Sequence, residues 1–291
     1  MQIIPRSGGI FTPLVGRAVV QPQAVVQPVP TFTSPLGLVE APVAAKPRQL
    51  HVLPSQSRER RRLDRSGTRV APSVSVVIPA LNEEQNLPRV LSQLPEDVSE
   101  ILVVDGFSTD RTIAVARETV PDVRIVEQKG RGKGNALQAG FAACKGDVVV
   151  MLDADGSMKP SEIPSFVEEL QAGAEFVKGS RFLPDGGSDD LTPLRKVGNF
   201  GLRTVFNVLY GAKHTDLCYG FAAFWRRCLP NLAFDHDGFE VETVLCIRAA
   251  QAALRVKEIP SYELNRNFGA SNLHTFRDGF RILRVLLSGA S

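Results

Sequence analysis

Residues 148–156 read VVVMLDADG, an apolar run that ends at two aspartates separated by one alanine. A continuous apolar run predicts a strand that is buried on both faces, as in a parallel sheet. Two carboxylates held close together repel each other unless a cation lies between them. Asp153 and Asp155 therefore predict a site for Mg²⁺ or Mn²⁺ at the end of a buried strand, where the metal would also contact a bound diphosphate.

Similar short apolar runs flank this strand and alternate with segments of helical pattern. The predicted strands are SVSVVIP (73–79), ILVVD (101–105), VRIVE (123–127), DVVVMLD (147–153) and AEFVKGS (174–180). The predicted helices lie within 82–94, 108–120, 134–145 and 160–171. This alternation predicts an α/β fold in which one doubly wound, mostly parallel sheet forms a single domain.

The N-terminal segment has a different composition from the rest of the chain. Residues 1–72 hold 10 of the 20 prolines and carry 10 Lys/Arg against 3 Asp/Glu, whereas the remainder carries 24 against 28. Such a segment cannot bury enough apolar surface to order itself, so we predict a disordered, basic, Pro-rich tail at 1–72 and a folded domain at 73–291. The folded part is mildly acidic, and we predict no nucleic-acid partner.

The remaining composition excludes several other classes of protein. Four cysteines occur without a CxxC pair, which predicts neither a disulfide framework nor a zinc site. No apolar run reaches the roughly 18 residues of a membrane span, and no secretory signal is predicted, so a cytoplasmic location is expected. GRGKGN (130–135) lacks the spacing of a phosphate-binding P-loop, and no GxGxxG follows the first strand.

In open α/β sheets, ligands bind at the carboxyl ends of the strands. Here those ends carry PALNE (79–83), DGFSTD (105–110), DADG (153–156) and GSRF (179–182). These segments, with GKGNALQAGF (132–141), resemble the family 2 glycosyltransferases, whose members have the GT-A fold. VKGSRF (177–182) and TDLCYGFAAFWRR (215–227) resemble the branch of polyprenyl- and dolichyl-phosphate mannose or glucose synthases.

The resemblance implies a metal-dependent transfer of a hexose from a GDP- or UDP-sugar, with inversion at the sugar. It also implies roles for particular residues at the donor. Pro79, Leu81 and Glu83 would line the base and ribose, Asp105 would contact the base, and Lys133 would lie near the nucleotide. Asp153 and Asp155 would hold the donor and Mg²⁺ or Mn²⁺. NFGASNLH (267–274) resembles a closing loop, with Ser271 near the diphosphate and His274 as a third metal ligand, a phosphate contact or a surface residue.

The acceptor is left open between a polyprenyl phosphate and a soluble hydroxyl compound. Arg181, and with it Arg195, would meet an acceptor phosphate, which is already ionised and needs no strong base. A hydroxyl acceptor needs a carboxylate to take its proton, and DHDGFEVE (235–242) supplies candidates. Those candidates are Asp235, Asp237, Glu240 and Glu242, of which Asp237 and Glu240 are the predicted catalytic residues.

Two other functions are alternatives to glycosyl transfer. A nucleotidyltransferase would carry a Gly-rich loop directly after the first strand, where this chain has ALNEEQNL (80–87). A non-catalytic binding module for nucleotide sugars would be favoured if the acids were missing, but Asp105, Asp153 and Asp155 are present.

The C-terminal segment predicts an amphipathic helix. Phe276, Phe280, Leu283 and Leu287 follow one another at helical spacing, and Arg277, Arg281 and Arg284 lie on the neighbouring face. The apolar stripe would pack on the domain, or the helix would lie on an anionic membrane surface. The second alternative would place the enzyme peripherally on the inner face of the membrane.

Overall fold

The protein is described by a computed structural model over residues 71–269 and 275–289, apart from the side chains of residues 275 and 276. The predicted tail lies almost entirely outside these residues and stays a prediction. Ser271 and His274 lie outside them as well.

A seven-stranded sheet forms the centre of the domain, with strand order β3-β2-β1-β4-β7-β5-β8. Its strands are β1 (Val74–Ala80), β2 (Glu100–Asp105), β3 (Arg124–Glu127), β4 (Val148–Met151), β5 (Phe176–Ser180), β7 (Ala222–Trp225) and β8 (Val256–Pro260). Two short strands, β6 (Gly187–Ser188) and β9 (Tyr262–Glu263), pair separately.

Seven α-helices accompany the strands in the described residues. They are α1 (Leu87–Ser92), α2 (Thr112–Thr119), α3 (Lys133–Ala143), α4 (Ile163–Ala172), α5 (Pro193–Tyr210), α6 (Val241–Gln251) and α7 (Thr275–Ser288). α3 packs on β1, β2 and β3, and α4 packs on β5 and β7. None of the helices in this part of the chain combines the length and apolar character that crossing a membrane requires.

The predicted α/β fold with a mostly parallel sheet is confirmed. Every residue of β4 is buried, as a continuous apolar run at the centre of a sheet requires. One feature was not predicted: β7 runs antiparallel between β4 and β5. Its sequence AAFW is too short and too uniformly apolar to indicate a direction.

A second apolar cluster joins α5, α6 and α7 beside the sheet. Its buried members include Phe206, Val244, Ile282, Val285 and Leu286. This arrangement corrects the predicted packing of the last helix, whose buried face carries Ile282, Val285 and Leu286. Phe280 and Leu287, expected in the packed stripe, are 70% and 68% exposed.

Candidate active site

A cleft of about 900 Å³ opens at the carboxyl ends of the central strands. Residues that follow β1, β2, β3 and β4 line one part of it. Residues of α5, α6 and α7 line another part. The same cleft is therefore lined by the predicted donor residues and by α5, α6 and α7. The pattern of residues at strand ends does not predict that these helices contribute to the site.

The loop after β1 brings Pro79, Leu81 and Glu83 to the cleft, as predicted. Asn82 holds the loop in place from a left-handed backbone conformation, with φ at 55°. Its side-chain oxygen accepts a hydrogen bond from the Thr109 backbone N–H at 2.8 Å. The loops after β1 and β2 are thereby tied together, and Leu81 is left 47% exposed in the cleft.

Asp105 ends β2 but is not one of the residues that line the cleft. It is buried, and both of its carboxylate oxygens accept the Ser108 backbone N–H at 3.3 Å. In this structure the carboxylate stabilises the conformation of the loop that follows β2. Its predicted contact with the base stays a prediction.

Lys133, at the start of α3, forms two ion pairs in the cleft. Its Nζ lies 2.6 Å from Asp153 Oδ1 and 2.6 Å from Glu242 Oε1. Burial alone would lower the pKa of Lys133, but the two carboxylates outweigh it and raise that pKa. Burial, together with repulsion from Asp155 and Glu242, raises the pKa of Asp153 to about 6, although Lys133 acts in the opposite direction.

Asp155 forms a second set of contacts across the cleft. One carboxylate oxygen accepts hydrogen bonds from the backbone and hydroxyl of Ser157, at 2.9 and 2.7 Å. The other lies 3.0 Å from Arg266 Nη2, and Arg266 Nη1 lies 3.0 Å from Glu83 Oε1. Burial raises the pKa of Glu83 in spite of its hydrogen bond from Asn86 and its pairing with Arg266.

The carboxylates of the cleft are the type of ligand that a divalent cation takes. Four carboxylates, those of Glu83, Asp153, Asp155 and Glu242, share the two cations Lys133 and Arg266. A hard divalent cation takes oxygen ligands and would balance the excess negative charge. Within residues 71–269 and 275–289, no three or more His, Cys, Asp or Glu side chains are grouped so as to hold a metal ion. The implied third ligand, His274, lies outside these residues.

Arg181 follows β5 and lines the cleft, but its guanidinium is already engaged. Its Nε and Nη2 donate to the two oxygens of Asp216, at 2.7 and 3.0 Å, and its Nη1 donates to Glu263 at 3.0 Å. Arg195 of α5 also lines the cleft and donates to Asp190 at 2.6 Å. Both predicted phosphate contacts are therefore brought to one part of the cleft.

The structure does not bring Asp237 and Glu240 into the cleft; the candidate base that lines it is Glu242. The loop before α6 instead packs against the start of α3, where Gly134 N donates to the Asp237 carbonyl at 2.8 Å. A Cβ at Gly134 would lie 2.0 Å from the His236 carbonyl oxygen. The glycines of GRGKGN thus allow this loop to approach the helix.

The sequence analysis did not predict Arg266 as a site residue. It named Glu242 as a candidate base but did not predict its ion pair with Lys133. Arg266 precedes the loop NFGASNLH, so its position beside a predicted ligand loop was an available signal. No local sequence pattern indicates the contact between Glu242 and Lys133, because the two residues are 109 positions apart in the sequence and only the fold brings them together.

Parts of the chain are similar in sequence to known proteins. The sequence profile of Glycosyl transferase family 2 matches residues 75–232. Glycosyltransferase AglJ of Haloferax volcanii is 30% identical over 71% of this chain and 68% of its own length. Polyprenol monophosphomannose synthase of Mycolicibacterium smegmatis is 32% identical over 68% of this chain and 80% of its own.

A solved structure shows the same fold. Glucosyl-3-phosphoglycerate synthase of M. tuberculosis, crystallised with Mg²⁺ and uridine diphosphate, superposes with a TM-score of 0.61. It is 24% identical and covers 75% of this chain and 79% of its own. These findings confirm the predicted family and disfavour a nucleotidyltransferase or an inactive binding module. The chain belongs to glycosyl transferase family 2, has the GT-A fold and is a hexosyltransferase.

Proposed function

We propose that this enzyme transfers a hexose from a nucleoside-diphosphate sugar to a polyprenyl phosphate, with Mg²⁺ or Mn²⁺ and with inversion. The observation that carries the proposal is the pair Asp153 and Asp155, which follows β4 and lines the same cleft as the residues after β1. Acids in this position suit a metal-bound diphosphate. When bound there, the metal supplies positive charge that stabilises the departing diphosphate.

We call the part of the cleft after β1–β4 the donor end. Pro79, Leu81 and Glu83 would contact the nucleoside there, and Lys133 would remain close to the diphosphate. Arg266 now pairs with Asp155 and Glu83. Arginine is suited to binding phosphate with two parallel hydrogen bonds, so Arg266 would turn towards the diphosphate when a cation takes its place at Asp155.

We call the part lined by Arg181, Arg195, α5 and α7 the acceptor end. Two arginines suit an acceptor phosphate, which is a nucleophile without any further loss of a proton. Glu242 lies between the two ends and holds Lys133. For a hydroxyl acceptor, Glu242 would be the carboxylate in the cleft able to take the proton.

The surface beside the acceptor end favours a lipid acceptor over a soluble one. On α5, Val197, Phe200 and Val208 share one helix face and are 69%, 58% and 77% exposed. On α7, Phe280 and Leu287 are also exposed. The neighbouring basic residues Lys196, Arg203, Arg277, Arg281 and Arg284 would attract an anionic membrane.

The proposed reaction is tested with the full chain, a panel of UDP- and GDP-hexoses, and polyprenyl phosphate in detergent. We expect one donor to give a lipid-linked sugar in the presence of Mn²⁺ and no product in EDTA. Polyprenol without the phosphate is the matched acceptor and should give no product. Transfer to soluble hydroxyl compounds alone would favour the alternative acceptor, and the absence of any transfer would contradict the proposal.

Membrane contact is tested by sedimentation with vesicles of phosphatidylglycerol and phosphatidylcholine. We expect binding that weakens in high salt and in Arg281→Glu with Arg284→Glu, because each basic residue near an anionic surface contributes about 1 kcal/mol. Arg117→Glu with Lys145→Glu changes the charge equally at exposed residues outside α5 and α7 and should bind as the parent does. Failure of the parent to bind at low salt would contradict membrane contact.

A further inference from the structure

Phe107, in the loop after β2, has an unusual combination of properties. Its φ is 66°, in the left-handed region that favours glycine and is costly for a bulky side chain. The side chain is 54% exposed, so little packing compensates for that backbone conformation. It lines the donor end of the cleft. An exposed aromatic ring held this way in a cleft suggests a role in ligand binding.

Gln128, directly after β3, provides an independent observation at the same place. It is 5% exposed and lines the cleft, and its buried Oε1 has no hydrogen-bond partner among the described residues. A buried acceptor without a partner is costly, so this oxygen is suited to a donor group on a ligand.

The topology places these two residues side by side. β2 and β3 are parallel neighbours in which Asp105 pairs with Glu127, so Phe107 and Gln128 follow adjacent strand ends. The Gln128 backbone N–H also donates to the Asp105 carbonyl at 3.4 Å. Gly106 allows the loop after β2 to lie close to Ala80 and Gln128. A Cβ at this position would lie 3.2 Å from the Ala80 carbonyl oxygen and 3.5 Å from Gln128 Nε2.

We infer that Phe107 and Gln128 also bind the donor's nucleobase. This inference rests on the proposed function, because it requires a nucleoside-diphosphate donor. The Phe107 ring packs against the face of the base, which any base can offer. Gln128 Oε1 accepts an N–H at the base edge. Uracil and guanine each present a ring N–H beside a carbonyl, and adenine presents an amino N–H beside a ring nitrogen, so each of these bases can pair with the Gln128 amide.

The test measures binding of UDP, GDP and ADP, with inorganic pyrophosphate as the probe that has no base, all with Mn²⁺. We expect UDP or GDP to bind the parent more tightly than pyrophosphate does. Phe107→Gly should weaken that binding about tenfold, the effect of losing one aromatic stacking contact. Gln128→Leu should weaken it about fivefold, as the loss of one hydrogen bond implies. Pyrophosphate should bind both variants and the parent equally.

Thermal melting separates ligand binding from a structural role. Glycine adopts a positive φ without steric cost, and leucine removes a buried unpartnered amide, so both variants should melt within about 2 °C of the parent or above it. Parental affinity for the preferred nucleotide in both variants would overturn the inference alone. An equal loss of pyrophosphate binding, or a fall in melting temperature that accounts for the weaker binding, would also overturn it. If the parent binds none of the nucleotides, the proposed function fails together with the inference.

Discussion

The two ends of the cleft hold their charged residues in different ways. At the donor end, Lys133 and Arg266 are shared among four carboxylates, so negative charge is in excess and a cation would be accommodated. At the acceptor end, Arg181 makes three hydrogen bonds to Asp216 and Glu263, and its carboxylate partners are buried or nearly so. At the donor end, Lys133 and Arg266 can exchange a carboxylate partner for a group of the ligand. At the acceptor end, the ion pairs of Arg181 also stabilise the fold.

Substitution of Arg181 should have the largest effect on stability. Arg181→Gln leaves the fully buried Asp216 without its cation, and breaking such a pair costs about 3–5 kcal/mol of unfolding free energy. Arg195→Gln is the matched control at the same end, because its partner Asp190 is exposed and such pairs contribute about 0–1 kcal/mol. Urea unfolding measures both. Equal stability of the two variants would show that Arg181 is held for the acceptor alone.

At the donor end, substitution should affect the chemistry while leaving the fold unchanged. Asp155→Asn removes a carboxylate from the cleft, yet Arg266 keeps its contact with Glu83. We expect turnover to fall at least about a hundredfold, equivalent to about 2.7 kcal/mol in the barrier, with little change in melting temperature. Asp97→Asn, at an exposed acid outside the cleft, should behave as the parent. Near-parental turnover of Asp155→Asn, or of the parent in EDTA, would contradict a metal at this site.

The same comparison explains what the sequence could predict. Glu83, Asp153 and Asp155 could be placed at the donor end because each follows shortly after an apolar run, and the carboxyl ends of parallel strands meet at one edge of a sheet. Arg181 was found in the same way, but its partners lie 35 and 82 residues further along the chain. A local sequence pattern gives no information on contacts between residues this far apart in the sequence. The sequence therefore predicted that Arg181 contacts a phosphate but did not predict its ion pairs with Asp216 and Glu263.

Stability at the acceptor end should also depend on pH through His214, which follows α5. Burial, with Lys178 adding to it and Asp216 opposing it, lowers the pKa of His214 to about 4. Nearby Glu258 lies 3.7 Å away. The unfolded chain binds a proton near pH 6.5 and the folded chain does not, so stability is complete above that pH and is lost as the pH falls towards 4.

Between pH 7 and pH 5 this loss amounts to roughly 2 kcal/mol. Urea unfolding at the two pH values measures it, and His214→Gln should reduce the difference by about that amount. The Asn207 side chain holds the backbone of residue 214, with N–H and C=O contacts both at 2.9 Å, so glutamine can keep the local conformation. An unchanged pH dependence in His214→Gln would show that other groups, such as Asp216 and Glu258, account for it.

The smallest effect is expected on the outer face of α7, and it tests the correction to the predicted packing. The sequence indicated the regular stripe of Phe280, Leu283 and Leu287, but apolar residues occur on more than one face of this helix, so periodicity alone does not select the buried one. Packing against α5 and α6 uses Ile282, Val285 and Leu286. Phe280→Ser should therefore change the unfolding free energy by no more than about 0.5 kcal/mol. Ile282→Ser, two residues away and 6% exposed, should cost about 2–5 kcal/mol because it removes buried apolar volume and introduces a hydroxyl. If Phe280→Ser were the more destabilising of the two, the outer face of α7 would be packed on the domain and would not be exposed for membrane contact.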